Sequence, residues 1–253
     1  CLLAIHQLFG RSQCMMQLSK GRSESANSQL SAVVHVVVCT YGAQHLLNEL
    51  TVDGSFFQQH HVQCEPQLIG FECRDVLRDR WGNYDWYGYM EDDLIHHDPW
   101  FFQKLDWFQK QAGPDAVLLP NRFERGNSPL VNKAYVDGDI VGHRTQPHQD
   151  VTRKPVLTGS ALGVSVEFRR PLNPHSGCYF LTAEQMSSWM ARRDFSDRDV
   201  SFIGPLESAA TLGLMKAFRV YKPHLPTASF LEIEHFGQRF ISQLRRPEPE
   251  DRT

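Results

Sequence analysis

The stretch WYGYMEDD, residues 86–93, constrains this chain more than any other, because an aromatic strand-forming run ends in three consecutive carboxylates, Glu91, Asp92 and Asp93. Like charges gathered at the end of a buried strand repel one another and resist desolvation, so the triplet is destabilising unless a cation or hydrogen-bond donors compensate it. Hard carboxylate oxygens suit Mg²⁺ or Mn²⁺, ions that keep some waters and share their coordination with substrate phosphates. A helix over 99–111 is marked at its start: Asp98 is an N-cap residue type, Pro99 sits where a missing N–H costs nothing, and Phe101, Leu105 and Phe108 recur at helical spacing. The triplet therefore falls on a short strand-to-helix loop, where side chains can meet a ligand. A solvated acidic turn is the other reading of the same residues.

Length and charge narrow the field. The 253 residues suffice for one sizeable core, and the net charge of -3 argues against a protein that coats nucleic acid. Cys1, Cys14, Cys39, Cys64, Cys73 and Cys178 are scattered without a C-x-x-C pair, so neither a zinc framework nor a disulfide scaffold is indicated. A cytoplasmic location is expected on that ground, with peripheral attachment to a membrane as the alternative. No run approaches the roughly 18–20 apolar residues of a membrane span, so no transmembrane segment is expected.

Residues 1–31 read as a poorly ordered leader or linker, an apolar start followed by the polar KGRSESANSQLS, and residues 241–253 as a charged C-terminal tail. Between them the patterning alternates. AVVHVVVC, from Ala32 to Cys39, is the near-continuous β-branched run of a strand buried on both faces, and a second extended segment is expected around His60 to Cys64. Residues 67–80 turn helical, with Ile69, Cys73, Val76 and Leu77 on one face. A buried strand is expected over 116–119, then a long polar excursion over 122–158 with room for a hairpin. Thr182 to Gln185 spells a capping box, a helix is expected over 206–218, and FRVYKP reads as a strand. The order of strand, helix, strand, helix points to a layered α/β domain with ligand chemistry at the carboxyl ends of the strands.

Taken in order, VVVCTYG, FECRDVLRDRWGNYDWYGYMEDD, PHSGCYFLTAEQMSSW and FIGPLESAATLGLMKAFRVYKP resemble successive blocks of the GT-A nucleotide-sugar-dependent glycosyltransferases, in particular the family-2-like group, over residues 32–240. The resemblance implies a three-layer α/β/α domain with a mainly parallel central sheet. It implies that Thr40 and Tyr41, at the end of the first strand, contact the nucleotide base. Arg74-Asp75 stands where that family commonly has Arg-Asn, which places Arg74 toward the donor, and Glu91-Asp92-Asp93 stands for its D-x-D motif. Ser176-Gly177 replaces the usual glycine pair on the acceptor side. Glu207-Ser208 replaces the usual Glu-Asp pair, which leaves Glu207 in the place of the general base, and EIEHFG matches the segment in which a histidine, here His235, returns to the metal.

On this reading Asp93, with Asp92 and His235, holds Mn²⁺ or Mg²⁺, while Glu91 or Asp92 contacts the ribose or a metal-bound water. Glu207 takes the proton of the acceptor hydroxyl. The partners implied are a nucleotide-sugar donor and a carbohydrate or other hydroxyl acceptor, with no nucleic acid. Each residue has a plainer reading: Glu207 as a complement to a helix N-terminus, His235 as a buried ring satisfied by backbone, Arg74 as a solvated helix residue. Two other functions fit the pattern. A nucleotidyltransferase also needs an α/β sheet and a carboxylate-bound metal, although TYGAQH lacks the glycines of a phosphate loop, and a non-catalytic carbohydrate-binding relative could use Trp81, Trp86 and Trp100 as stacking surfaces.

Overall fold

The computed structural model describes residues 1–244; positions 245–253, most of the expected charged tail, lie outside the described residues. The first 31 residues are not featureless. They form helix α1 (Leu2–Phe9) and a hairpin of β1 (Cys14–Gln17) with β2 (Arg22–Ser25), and Phe9 is buried edge-on to Phe102 and His96. Strand β3 (Val37–Tyr41) then runs parallel to β4 (Gln58–Val62), followed by helix α2 (Ile69–Asp79), strand β5 (Trp86–Met90), the two-residue β6 (Leu94–Ile95) and helix α3 (Phe101–Ala112). Strand β7 (Ala116–Leu118) leads into two hairpins, β8 (Asn121–Arg125) with β9 (Lys133–Tyr135) and β10 (Val156–Ala161) with β11 (Val164–Arg169). The second closes through Leu162 and Gly163, both at positive φ, which matches the right-handed twist of its strands. Strand β12 (Cys178–Thr182) enters helix α4 (Ala183–Met190) through the expected capping box of Thr182 and Gln185. The chain ends with the short helices α5 (Pro205–Glu207) and α6 (Gly213–Ala217) and strands β13 (Arg219–Pro223) and β14 (Glu232–His235).

The expectation of a three-layer domain around a mainly parallel sheet is overturned. The described strands form five sheets of two to four strands, and parallel pairing is confined to β3 with β4, β7 with β13 and β8 with β14. The other pairs are antiparallel, including β5 with β12 and β6 with β14. Two causes can be named. The excursion over 122–158 folds back as hairpin strands that take the edges a parallel neighbour would need. The run from Ala32 becomes a strand only at Val37, with Val33 exposed and Thr40 its one buried member, because a short apolar run does not by itself distinguish a doubly covered strand from a half-covered one.

Alternation along β5 divides the interior. Tyr87 and Tyr89 pack with Tyr179, Leu181, Trp189 and Phe202, whereas Trp86 and Phe180 face Phe101, Phe108 and Phe168. Burying several aromatic side chains on each side contributes roughly 1.5–3 kcal/mol apiece, and it fixes β5 so that its carboxyl end emerges over a third small cluster of Leu94, Cys178 and Ile233. No described helix is long and apolar enough to cross a membrane.

Candidate functional site

The three carboxylates sit where β5 gives way to β6. Glu91 is held by its backbone, its N–H donating to Gly177 O at 2.9 Å, and Leu94 N–H closes the turn onto Glu91 O at 3.4 Å. Gly177 has φ +62°, and a Cβ there would lie 2.5 Å from Glu91 Oε2, so the approach of the carboxylate to this backbone requires glycine on two counts. Ser176-Gly177 replaces the glycine pair of the resembled family, and the glycine that remains is the one the contact needs.

Asp93 and His235 are brought together by strand pairing. In the antiparallel register of β6 with β14, His235 is opposite Leu94, and Phe236 N–H donates to Asp93 O at 2.7 Å. His235 Nε2 lies 3.2 Å from Asp93 Oδ2. The other ring nitrogen, Nδ1, lies 2.9 Å from Oε1 of Glu124, a fully buried carboxylate on β8, the parallel neighbour of β14. Asp93 Oδ1 is buried and has no hydrogen-bond partner. Asp92 points into solvent.

Glu91 lies in the densest part of the charge pattern. Burial pushes its pKa up to about 7, Arg122 opposes the shift, and Asp93, Glu207 and Asp92 add to it. His175 Nε2 is 4.0 Å from Glu91 Oε1, but burial, with Arg122, pushes this ring down to about 3, so it is a neutral dipole rather than a counter-ion near neutral pH. Its Nδ1 meets Thr211 Oγ1 at 3.1 Å. Beneath lies a buried ionic group: Asp137 accepts from Arg122 Nε at 2.9 Å and from Lys222 Nζ at 2.8 Å, and Lys222 also donates to His175 O at 2.5 Å. Two cations on one carboxylate leave an excess of positive charge in this floor.

Glu207 is carried by a segment of unusual backbone. Gly204 N–H donates to Phe202 O at 2.7 Å across Ile203, which has φ +60°. This is a γ-turn of the strained hand, rare for a β-branched residue. Residues 206–218, expected as one α-helix, divide into α5, a fully buried π-helical stretch over Ser208–Leu212, and α6. Strain and π-helical turns concentrate at functional sites. Among the described residues the Glu207 carboxylate has no hydrogen-bond or ion-pair partner, and α5 packs on the turn Pro66–Leu68.

That turn borders an open cleft of about 630 Å³ at the carboxyl ends of β3 and β4, lined by Tyr41, His61, Gln63, Cys64 and Pro66. Tyr41 lines this open depression. Thr40 is buried beside it, its hydroxyl hydrogen-bonded to Gln59 Nε2 at 3.0 Å and near His61 Nδ1 at 3.3 Å. Arg74 goes elsewhere: it is buried, donates to Asp197 O, and lies over the rings of Phe71, Phe195 and Trp189 at 5.2, 5.4 and 5.8 Å. Burial lowers its pKa, and its guanidinium faces the 194–199 segment, away from the cleft's lining residues.

Asp93 and His235 are thus brought together, Glu91 feels the charges of Asp93 and Glu207, and Arg74 stands apart. Glu124, Arg122, Asp137, Lys222 and His175 were not legible as site residues. Residues 122–158 read as a polar excursion, and only tertiary pairing shows that Arg122, Phe123 and Glu124 are all buried. Among the described residues no three His, Cys, Asp or Glu side chains close around a common point. What the site offers a cation is the pair Asp93 and His235. A ligating histidine characteristically gives its other N–H to a carboxylate, as His235 does here, so the pair fits a divalent cation. Comparison with family models, with curated proteins and with solved structures finds no match to this chain.

Proposed function

We propose that the chain is a metal-dependent glycosyltransferase that moves a sugar from a nucleotide-diphosphate donor to an acceptor hydroxyl. The observation that carries the reading is the convergence, from the β5–β6 turn and β14, of Asp93 and His235, with a buried unpartnered carboxylate oxygen on the first and a carboxylate-anchored ring on the second. The support is the site itself, since the sheet is not the one expected.

The cleft beside Tyr41 suits the nucleoside end of the donor, and Asp93 with His235 suits its diphosphate end through Mg²⁺ or Mn²⁺. A cation so bound would neutralise charge on the departing nucleoside diphosphate. The acceptor oxygen forms its bond to the anomeric carbon as the bond from that carbon to the phosphate oxygen breaks, and the acceptor proton passes to Glu207. A partnerless, half-buried carboxylate is placed to do this only if the hydroxyl reaches hydrogen-bond distance. Arg122, with Lys222 behind it, balances part of the negative charge that the acidic turn and the donor would bring together.

The test is a screen of nucleotide sugars with Mn²⁺ or Mg²⁺, scored by release of nucleoside diphosphate in the presence of hydroxyl acceptors. Metal-dependent release that Asp93→Ala abolishes is the expected result. Nucleotide binding of equal strength with the ion and with chelator, measured by calorimetry, would remove the metal-site reading.

A further inference from the structure

Glu124 has no place in the chemistry just described, yet it is the most completely enclosed acidic side chain near the site, with no exposed surface. Its two oxygens accept from three N–H groups. Oε1 takes His235 Nδ1 at 2.9 Å and Phe240 N at 3.1 Å; Oε2 takes Phe240 N at 2.9 Å and Ile241 N at 2.7 Å. The ring of Phe240 lies 5.4 Å from the imidazole it helps to enclose.

A carboxylate offers acceptors only, so the ring nitrogen that faces it must carry a hydrogen. The same rule puts a hydrogen on Nε2, which faces Asp93 Oδ2 at 3.2 Å, so Nε2 becomes a ligand only when a divalent cation takes that hydrogen's place. The same two oxygens tie down the backbone of residues 240–241, and Phe236 N–H ties the other end of this segment to Asp93 O. The connection from His235 to Ile241 is thus pinned at both ends by residues of the acidic site. Turning the ring over would bring a C–H against Glu124 and break the alignment with Asp93.

We propose that Glu124 is a positioning residue: it holds a hydrogen of His235 on Nδ1 while a divalent cation displaces the one on Nε2, so that Nε2 and Asp93 ligate the cation together. The proposal rests on the reading of Asp93 and His235 as that pair. Outer partners of metal-ligating histidines are worth roughly 10- to 100-fold in metal affinity.

The experiment uses the full chain and Mn²⁺ alone, without nucleotide or sugar. Binding is followed by electron paramagnetic resonance, and nitrogen ligation by the ¹⁴N modulation of the electron spin echo. The wild-type chain is expected to show ¹⁴N modulation that His235→Ala removes. Glu124→Gln keeps one acceptor but turns an NH₂ against the donors Glu124 now receives, and is expected to weaken Mn²⁺ binding about 10-fold, while Glu124→Asp recovers part of the loss. Far-UV circular dichroism identifies any variant that does not fold, and Glu124→Asp then carries the comparison. Wild-type Mn²⁺ affinity and modulation in folded Glu124→Gln would overturn the positioning role and leave the cation pair standing. Mn²⁺ bound without ¹⁴N modulation in the wild type would overturn it as well. No Mn²⁺ binding by the wild type would remove both the pair and the proposal built on it.

Discussion

Glu91 carries a cost that pH should reveal. Its carboxyl is pushed up to about 7 by burial, from an ordinary value of 4.5. Below 4.5 both folded and unfolded chains hold the proton, and the group has no effect on stability. Between 4.5 and 7 the unfolded chain releases its proton while the folded one retains it, so stability falls as pH rises and stays reduced above 7. Glu91→Gln should therefore match the wild type at pH 4 and exceed it by about 2–3 kcal/mol at pH 8, read from urea denaturation at the two pH values. Glu207 calls for a kinetic experiment. Glu207→Gln keeps shape and removes the basic site, so donor binding should persist while turnover falls by roughly 10²-fold or more. Near-normal turnover would leave Glu207 as a complement to the α5 N-terminus and nothing more. At this scale much of the candidate site was legible. Three adjacent carboxylates at a strand end, one histidine closing the alternating run LEIEH and one acid after Gly-Pro are all visible in the chain. Glu124 was not, because its meaning depends on a parallel pairing between segments 111 residues apart.

Elements were read well where their signals are local and poorly where neighbours decide. The capping box at Thr182, helix α2 and strand β5 each follow from side chains within one or two turns. The split of the 206–218 helix follows instead from what packs on it: Gly213 lies against Trp189, and Ala209 is close enough to Gly70 that a Cβ there would come within 2.7 Å of it. These constraints come from α4 and α2, so no window of the local sequence contains them. Helix α1 is the other instance. Its eight residues show little periodicity, but Phe9 finds a place between Phe102 and His96. Phe9→Ala should cost about 3–4 kcal/mol in chemical denaturation, whereas Met15→Ala, at an exposed position of the β1–β2 hairpin, should stay within about 0.5 kcal/mol. Equal effects from the two would show that α1 does not pack on the rest of the chain.

For the molecule as a whole, the ionic group of Arg122, Asp137 and Lys222 joins parts that no single sheet connects: β8, the excursion before β10, and β13. Burial raises the cost of ionising Asp137, but Lys222 and Arg122 more than reverse it and hold the carboxyl below its ordinary range. Asp137→Asn would leave two buried cations facing a neutral amide, with an expected loss of about 3–5 kcal/mol of stability, measurable as a lowered denaturation midpoint. A loss below 1 kcal/mol would mean that the site relaxes to admit water. The overall architecture was the least legible feature. The family resemblance implies a mainly parallel sheet, but which edges remain free for pairing is settled by hairpins, part of whose residues read as a polar excursion.

Division into small sheets also governs how the molecule breathes. Both β3 with β4 and β5 with β12 are pairs bonded only to each other among the described strands, so what packs on each decides how readily it opens, and β3 buries only Thr40. The amides of β3 and β4 should belong to a separate cooperative unit that opens well below the global unfolding energy. In hydrogen–deuterium exchange, peptides covering Val37–Tyr41 and Gln58–Val62 should label earlier than those covering β5 and β12, whose rings lie at the centre of the core. The cleft beside Tyr41 is built on this loosely tethered pair, so a nucleotide seated there would slow its labelling out of proportion to any change elsewhere.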